Sequence, residues 1–455
     1  MTEAERAAEW WRIRRGEADI VIGPRTAVFA PLPRLRLILI DEEESSAFKQ
    51  ERMPRYHAPT VARWLARRTR SVLVFGSATP SVATYSAALS DREHLLELPH
   101  RAQGRPLPPV TVVDMREEYA EGGPDVVLSR ALTDALAARL ARGEQALVLL
   151  NRRGFATAVF CRQCAGTLDC PNCSVSLVVH GDGLARRARC HYCNYSSRVP
   201  AACPLCAGPY LEQAGFGTER VEAELKRAFP TARVARLDRD AIRRRGALGA
   251  LLTRFRDGGV DVLVGTQMIA KGHDFPRVTL VGVVSADVGL GLADFRASER
   301  TFQLLTQVAG RAGRGDARGE AVIQTIYPQH YSIQLACRQD YAAFYDREMQ
   351  FRRAMRYPPG VALINTIVRA QKFAAAMDDA GDLVDRLRAG ADANGFRVLG
   401  PAPAPLGKLR GEYRAQLLIK GTNRRRMREA LLAAIAARPD LQRRVVVDVD
   451  PVSVL

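Results

Sequence analysis

Residues 260–287 read VDVLVGTQMIAKGHDFPRVTLVGVVSAD, and this stretch decides the fold class. Two mostly apolar runs, Val260–Val264 and Val278–Val284, each end in a loop of small and polar residues. Such runs are typical of strands that are buried on both faces of a parallel sheet, with the chemistry at their carboxyl ends. The stretch therefore predicts an α/β protein with functional loops at Gly265–Pro276 and Ser285–Asp287.

Two earlier apolar runs follow the same pattern. Leu35–Ile40 runs into four acidic residues, Asp41–Glu44, and Val72–Phe75 runs into Gly76–Pro80. Four acidic residues directly after a strand can be interpreted in two ways. They are either the solvated start of a helix, or a site for a nucleotide-bound Mg²⁺ in which one carboxylate holds the metal's waters and the next polarises the attacking water.

A further loop contains two arginines at close spacing. Thr301–Val308 has a helical pattern and is followed by Ala309-Gly310-Arg311-Ala312-Gly313-Arg314. Arginines three residues apart would lie on one helix face. There they are suited to stabilising charge on a phosphoryl group, as an arginine finger does. The alternative is an ordinary basic helix terminus.

Eight of the nine cysteines lie between residues 161 and 206, as four Cys-x-x-Cys pairs. Two such pairs complete a tetrahedral zinc shell, so eight thiolates predict two closed, structural zinc sites. The spacing leaves open whether consecutive or nested pairs share a metal. A disulfide framework is disfavoured, because the N-terminus has no apolar segment typical of a secretory signal. The arginines and aromatic residues around the pairs predict either a docking surface for nucleic acid or protein, or a solvated ribbon.

Length and composition restrict the classes of protein to which the chain can belong. The 455 residues suit about three domains, and 47% hydrophobic with 25% charged residues excludes wholesale disorder. No apolar run approaches the length of a membrane helix, so a cytoplasmic protein is expected. The net charge is +18, with 67 basic residues that are nearly all arginine. This excess reflects either a coding bias or a surface that binds a polyanion such as nucleic acid.

The motifs DEE, GSATP, GTQMIAKGHDF and QVAGRAGR, in this order, resemble the motor motifs of superfamily 2 helicases. The eight-cysteine insert narrows the resemblance to the primosomal protein N′ (PriA) family of replication-restart DNA helicases. Further matching stretches lie at residues 20–29, 48–58, 150–156, 217–225, 236–240 and 400–418.

The resemblance implies an α/β fold with two RecA-like parallel-sheet lobes, the first one incomplete, a zinc-ribbon insert and an α+β C-terminal domain. The expected boundaries are residues 1–100 for the remainder of lobe 1, 101–127 for a linker, 128–335 for lobe 2 with a two-zinc insert at 161–207, and 336–455 for a DNA-binding domain.

The resemblance also assigns roles to residues. The expected catalytic residues are Asp41, Glu42, Arg311 and Arg314. The residues expected to couple nucleotide and DNA are Gly265, Thr266, Gln267, Lys271 and Gln307. The family's zinc sites are nested, so one metal is expected on Cys161, Cys164, Cys203 and Cys206. The second zinc is expected on Cys170, Cys173, Cys190 and Cys193. The residues expected to contact DNA are Phe48, Lys49, Arg55, Tyr56, Arg410, Tyr413 and Arg414.

The implied function is ATP-dependent, 3′-to-5′ unwinding at stalled or abandoned replication forks, followed by reloading of the replicative helicase. The implied cofactors are two structural Zn²⁺ and ATP with Mg²⁺. The implied partners are forked and single-stranded DNA, primosome proteins with the helicase loader, and single-stranded DNA-binding protein, with no membrane. The implied location is the cytoplasm, close to the nucleoid.

Two departures from the family pattern stand out. Glu44 occupies the motif position where the family usually has His, and the sequence contains no G-x-x-x-x-G-K-[ST] phosphate loop. The family's N-terminal DNA-binding region and the strands that carry this loop would precede Met1. The alternative to a helicase is therefore a scaffold fragment that binds forks and primosome proteins without hydrolysing ATP.

Overall fold

The computed structural model of the chain describes residues 2–99, 107–123, 125–151, 159–161, 167–173, 175–180, 187–208, 211–213, 217–237, 246–266, 269, 275–290, 292, 294–313, 317–391 and 395–454. The chain divides into two units, residues 1–95 and residues 96–455. In the described residues no helix is both long and apolar enough to cross a membrane.

The smaller unit is built around a two-stranded parallel sheet. Its elements are α1 (Glu3–Arg14), β1 (Leu37–Asp41), β2 (Lys49–Gln50), β3 (Tyr56–His57), α2 (Ala58–Thr69), β4 (Val72–Gly76) and α3 (Val82–Leu89). β1 pairs with β4 in parallel, and β2 with β3 in antiparallel orientation. Leu39 and Val72 are 63% and 62% exposed within this unit, although their residue types favour burial. Much of the apolar sheet surface is therefore uncovered.

The larger unit contains a six-stranded, all-parallel sheet, whose strands lie side by side in the order Val234–Leu237, Val262–Gly265, Gln145–Leu150, Val278–Val284, Glu320–Thr325 and Val110–Asp114. Its elements begin with β5 (Val110–Asp114), α4 (Met115–Gly122), α5 (Arg130–Ala141) and β6 (Gln145–Leu150). After the cysteine-rich insert come α6 (Thr218–Ala228), β12 (Val234–Leu237), α7 (Ala247–Arg256), β13 (Val262–Gly265), β14 (Val278–Val284), α8 (Ala297–Ala309) and β15 (Glu320–Thr325). All residues of β6, β13 and β14 are buried, which confirms the parallel sheet predicted from the apolar runs.

The predicted linker at residues 101–127 differs from the structure. Strand β5 lies inside this range and forms the edge of the six-stranded sheet, and α4 follows it directly. The strand reads VTVVD, a short β-rich run that pairs with β15, about 200 residues further along the chain. Such a distant partner leaves no local signal in the sequence, so this part of the linker assignment was wrong.

The cysteine-rich insert lies between β6 and α6. It contains β7 (Val159–Cys161), β8 (Val178–His180), β9 (Arg187–Arg189), β10 (Ser196–Arg198) and β11 (Leu211–Gln213). β8, β9 and β10 form an antiparallel sheet, and β7 pairs with β11, so the two ends of the insert meet. We call residues 161–207 the zinc module.

The C-terminal part continues with α9 (Tyr331–Arg338), α10 (Tyr341–Ala354), β16 (Ala362–Ala370), α11 (Phe373–Arg388), β17 (Phe396–Leu409), β18 (Glu412–Gly421), α12 (Arg424–Ala436) and β19 (Val445–Val449). The four strands form an antiparallel sheet with the order β17-β18-β16-β19. Alternate residues of a strand face opposite sides. Leu417 and Ile419 pack in a core with residues of α11 and α12, whereas Leu418 packs in a different core with residues of the zinc module. The module therefore covers one face of this sheet.

Candidate functional site

Four cysteine sulfurs converge in the zinc module. The Sγ atoms of Cys170, Cys173, Cys190 and Cys193 all lie within 4.8 Å of one another, and those of Cys170 and Cys193 are 3.5 Å apart. Four thiolates at Zn–S distances of about 2.3 Å place their sulfurs about 3.8 Å apart. The backbone N–H of Tyr192 donates to Cys190 Sγ at 3.3 Å. This group, which we call the inner group, fits a tetrahedral zinc site.

A second cysteine group joins the two ends of the module. The sulfurs of Cys161, Cys203 and Cys206 lie within 4.8 Å of one another, and those of Cys161 and Cys206 are 3.6 Å apart. Cys164, the expected fourth ligand, lies outside the described residues. We call this the outer group. The two groups are arranged in the nested pattern that the resemblance implies: the second Cys-x-x-Cys pair joins the third, and Cys161 of the first pair joins the fourth.

The inner group is built into a core that extends beyond the module. Tyr192 and Tyr357 are buried there together with Phe295 and Leu418, and Tyr357 Oη donates to the carbonyl oxygen of Cys173 at 2.9 Å. Tyr192 and His191 are fully buried, so neither contributes to an exposed docking surface. Among the described aromatic residues of the zinc module, Tyr195 lies at the surface and is 37% exposed.

The predicted magnesium-site acids lie at the carboxyl end of β1. Asp41 is the last residue of the strand, is exposed, and is the register partner of Gly76 at the end of β4. Its Oδ1 accepts a hydrogen bond from the backbone N–H of Glu42 at 3.0 Å. Glu42 has a φ of 48°, which is uncommon for a residue other than glycine. Strand and acidic loop thus meet in a sharp turn at the two carboxylates.

The other two acids join the loops that follow β1 and β4. Glu43, only 4% exposed, accepts hydrogen bonds from the backbone N–H of Ser81 at 2.5 Å and from Thr84 Oγ1 at 3.1 Å. Glu44 accepts from Ser77 Oγ at 2.7 Å. A carboxylate at position 44 therefore has a partner in the GSATP loop.

Gly265 ends β13, where the predicted loop begins. It pairs with Leu237 on β12, and a Cβ added to Gly265 would lie 2.7 Å from the Leu237 carbonyl oxygen and 3.1 Å from Ile269 Cγ2. Thr266 follows and accepts a hydrogen bond from the backbone N–H of Ile269 at 3.1 Å. Close approach of two backbones thus requires glycine at this strand end.

Replacing Gly265 by Ala is expected to lower the free energy of unfolding of the larger unit by about 1 to 3 kcal/mol, because the new methyl group overlaps a backbone oxygen. Urea unfolding measures the effect. Gly249→Ala is the matched control, since Gly249 lies in α7 with open space around it. There alanine should raise stability by about 0.5 to 1 kcal/mol. Equal stability of the two variants would contradict the steric explanation.

The arginine loop begins where α8 ends. Gln307 lies in the last turn of α8, and the helix ends at Ala309, so Arg311 occupies a turn beyond it. Arg311 therefore lies beyond the helix, and Arg314, with which it was expected to share a helix face, lies outside the described residues. Gly313 has a φ of 68°, and a Cβ there would lie 2.5 Å from the backbone nitrogen of Gly319. A side chain larger than glycine would therefore clash at this position.

Several predicted site residues are not described by the structure. Gln267, Lys271 and Arg314 lie outside the described residues, as Cys164 does.

Family models match three parts of the larger unit. A model described as the PriA DNA helicase Cys-rich region (CRR) domain matches residues 170–198, which include the inner group. The helicase conserved C-terminal domain matches residues 218–316, which include Gly265 and Arg311. The Primosomal protein N C-terminal domain matches residues 353–452.

Two relatives that match nearly all of this chain are described as the same protein. The Replication restart protein PriA of Bacillus subtilis is 45% identical over 420 residues, which cover 92% of this chain and 52% of that protein. The protein of the same description from Chlamydia muridarum is 39% identical over 457 residues, covering 100% of this chain and 60% of that protein. The chain belongs to the PriA family.

The chain thus spans about half of the length of the curated PriA relatives that it matches. Among solved structures, that of RecG bound to a three-way DNA junction is 15% identical with a TM-score of 0.40, over 77% of this chain and 35% of that one. This TM-score is too low to bear on function.

Four of the residues expected to contact DNA lie in or beside a short hairpin. Phe48 precedes β2, Lys49 begins it, β2 pairs with β3, and Tyr56 begins β3. The Tyr56 ring packs edge to face against Phe29 at a centroid distance of 4.9 Å and stays half-buried. Arg55 Nε donates to the carbonyl oxygen of Glu51 at 2.8 Å. The hairpin thus brings the four predicted DNA-contact residues of this unit together.

The remaining predicted DNA contacts lie at the β17–β18 hairpin of the PriA C-terminal domain. Arg410 occupies the turn with a φ of 53°, and Tyr413 pairs across the strands with Lys408. The Lys408 ammonium lies 4.8 Å from the centre of the Tyr413 ring. Arg414 Nη1 donates to the carbonyl oxygen of Leu406 at 3.3 Å. A basic and aromatic hairpin tip of this kind suits nucleic acid.

Sequence reasoning missed a buried ionic network that joins α8 to the C-terminal part. Arg352 on α10 is 2% exposed and lies 2.7 Å from Glu299 on α8 and 2.7 Å from Glu348. Tyr331 Oη donates to Glu348 at 2.6 Å. Glu348 and Arg352 stand at i and i+4, a visible helical pair. The Glu299 contact spans 53 positions and has no sequence signal.

The end of the chain is also held against the start of α8. Arg296 Nη1 donates to the carbonyl oxygen of Pro451 at 2.8 Å, and Arg300 Nη2 donates to that of Val452 at 2.6 Å. Asp294, itself fully buried, pairs with Arg300 at 3.0 Å. The helix that leads to Arg311 is thus fixed by both the C-terminal tail and α10.

Proposed function

We propose that the chain acts in ATP-dependent, 3′-to-5′ unwinding of DNA at stalled or abandoned replication forks and in reloading of the replicative helicase. The observation that carries the proposal is the helicase conserved C-terminal domain at residues 218–316, which lies in one chain with PriA-specific domains on both sides. Forked and single-stranded DNA, primosome proteins with the helicase loader, and single-stranded DNA-binding protein are the proposed partners.

The proposed nucleotide is ATP with Mg²⁺, and Asp41 and Glu42 are the residues that would hold the metal's waters and orient the attacking water. The fit rests on the strand end, where Asp41 is exposed beside Glu42, while Glu43 and Glu44 are engaged by serine and threonine groups. Bound Mg²⁺·ATP supplies the phosphoryl group that is transferred. Arg311 and Arg314 would stabilise its charge, and Gln307, Gly265, Thr266, Gln267 and Lys271 would couple nucleotide to DNA.

We also propose that each cysteine group holds one structural Zn²⁺. The donor sets consist of thiolates at tetrahedral spacing, and a closed Cys₄ shell leaves no open position for catalysis. The metals of the zinc module would therefore stabilise its fold. The metal of the inner group would lie in the core that the module shares with Phe295, just before α8, and with the C-terminal sheet.

The test is ATP hydrolysis by the purified 455-residue chain, with and without forked DNA. DNA-stimulated turnover is expected, and Glu42→Gln should lower it by at least about 100-fold, because the amide cannot accept a proton. Glu51→Gln, an exposed acid of the same unit, is the control and should retain turnover.

A scaffold that binds forks and primosome proteins without hydrolysing ATP is the second candidate function. It is favoured by the lack of a G-x-x-x-x-G-K-[ST] loop in the 455 residues. Fork binding without DNA-stimulated turnover above that of Glu42→Gln would support the scaffold and reject hydrolysis by this chain.

A further inference from the structure

Three basic side chains from three separate elements meet at one end of the C-terminal sheet. Arg397 on β17 and Lys420 on β18 are register partners, so their side chains start from neighbouring positions on one face of the sheet. Arg356 lies in the loop after α10, next to Met355, whose carbonyl oxygen accepts a hydrogen bond from Lys420 Nζ at 3.0 Å. We call Arg356, Arg397 and Lys420 the basic cluster.

The central cation of the cluster is held in place. Lys420 is half-buried, and its ammonium lies 3.8 Å from the centre of the Tyr357 ring. The pKa of Lys420 is lowered to about 8, mainly by burial; Cys173 acts in the opposite direction, and the positive charges of Arg356 and Arg397 contribute to the lowering. The three cations thus repel one another, while Arg356 and Arg397 are exposed to solvent.

No carboxylate neutralises the cluster in the part of the chain that the structure describes. Some other arginines of the same domain are paired with acids. Arg438 and Arg444 lie 2.9 and 2.7 Å from Asp379, and Arg369 lies 2.9 Å from Glu412. Like charges placed directly opposite each other on neighbouring strands destabilise a sheet. Adjacent cations without a carboxylate form a site that an anion from outside the chain can neutralise.

We propose that the basic cluster binds the phosphate backbone of DNA, as a contact separate from the hairpin tip around Arg410. Guanidinium groups bind phosphate in a bidentate manner, and such contacts are independent of base sequence. The chain's net charge of +18 suits the same polyanion. This inference rests on the proposed function at forked DNA but does not require ATP hydrolysis.

The test measures binding of the whole chain to a fluorescently labelled forked duplex by anisotropy, at salt concentrations from about 50 to 200 mM. Arg356→Gln and Arg397→Gln should each weaken binding about 3- to 10-fold. The double variant should reduce the slope of log affinity against log salt by about 1.8, or about 0.9 for each lost phosphate contact. Arg386→Gln removes one charge from α11, on the other face of the sheet, and should bind as the unaltered chain does.

Thermal unfolding separates a ligand contact from a structural one. Arg397→Gln removes one of two opposed cations, so its melting temperature should stay equal to that of the unaltered chain or rise. Binding by the double variant with the affinity and salt slope of Arg386→Gln would overturn the proposal, as would a melting temperature of Arg397→Gln well below the control. If the unaltered chain shows no ATP turnover while these differences in DNA binding are present, only the proposed hydrolysis is rejected.

Discussion

Arg352→Met is expected to lower the free energy of unfolding by about 3 to 5 kcal/mol. The guanidinium is almost fully buried between Glu299 and Glu348, and their charges outweigh the effect of burial and raise its pKa above the ordinary value. Methionine fills a similar volume without a charge. The variant therefore removes the cation that lies 2.7 Å from each of two buried carboxylates, and the larger part of the loss is their uncompensated desolvation.

The same variant should depend on pH. Burial raises the pKa of Glu348, an effect that Arg352 opposes. A protein becomes less stable as the pH rises when one of its carboxyl groups has a higher pKa in the folded state than in the unfolded state. The loss of unfolding free energy in Arg352→Met should therefore grow from about pH 5 to pH 8. Urea unfolding at both pH values measures this. Arg347→Met, at an exposed position of the same helix, should change stability by less than about 0.5 kcal/mol. Similar losses in both variants would contradict the role of the buried network.

Cys190→Ser is the second change with a large expected effect. It removes one thiolate of the inner group, so zinc content should fall from two ions per chain to one, and the freed loop should open the core around Tyr357 and Leu418. Amide hydrogen exchange in β18 and in residues 294–300 should then speed up by at least about 100-fold, equivalent to about 2.7 kcal/mol of lost protection.

Cys206→Ser is the matched control for the inner site. It also removes one of two zinc ions, but the core that contains Tyr357 and Leu418 includes inner-group cysteines and none of the three described outer-group cysteines. Exchange in β18 should stay near that of the unaltered chain. Equal loosening of β18 in both variants, or a chain that binds no zinc, would contradict the distinction between the groups.

The strands and the family could be predicted from the sequence because their signals are local. The runs at 260–264 and 278–284 are mostly apolar, and strands buried on both faces need no partner information to be recognised. The Cys-x-x-Cys pairs are equally local. Their nested arrangement follows from the resemblance, since turn spacing alone permits either combination.

What escaped prediction depends on distant partners or on backbone shape. Strand β5 finds β15 only in the folded sheet, and Glu299 finds Arg352 only once α8 and α10 pack. After the end of α8 at Ala309, Gly313 has a positive φ and lies against Gly319. A Gly-rich loop after a helix permits such a turn but does not identify its partner.

The insertion of the zinc module between β6 and its neighbours also bears on the order of folding. β6 pairs with β13 and β14, more than 100 residues later in the chain, so the centre of the sheet forms only after a long loop closes. Loop closure becomes less favourable as the flexible loop lengthens. The strand pairs of the cysteine-rich insert lie within about 55 residues, and its first and last strands, β7 and β11, pair with each other. An insert that folds first, around its metals, therefore closes most of this loop. It brings β13 and β14 closer to β6 before the six-stranded sheet has formed.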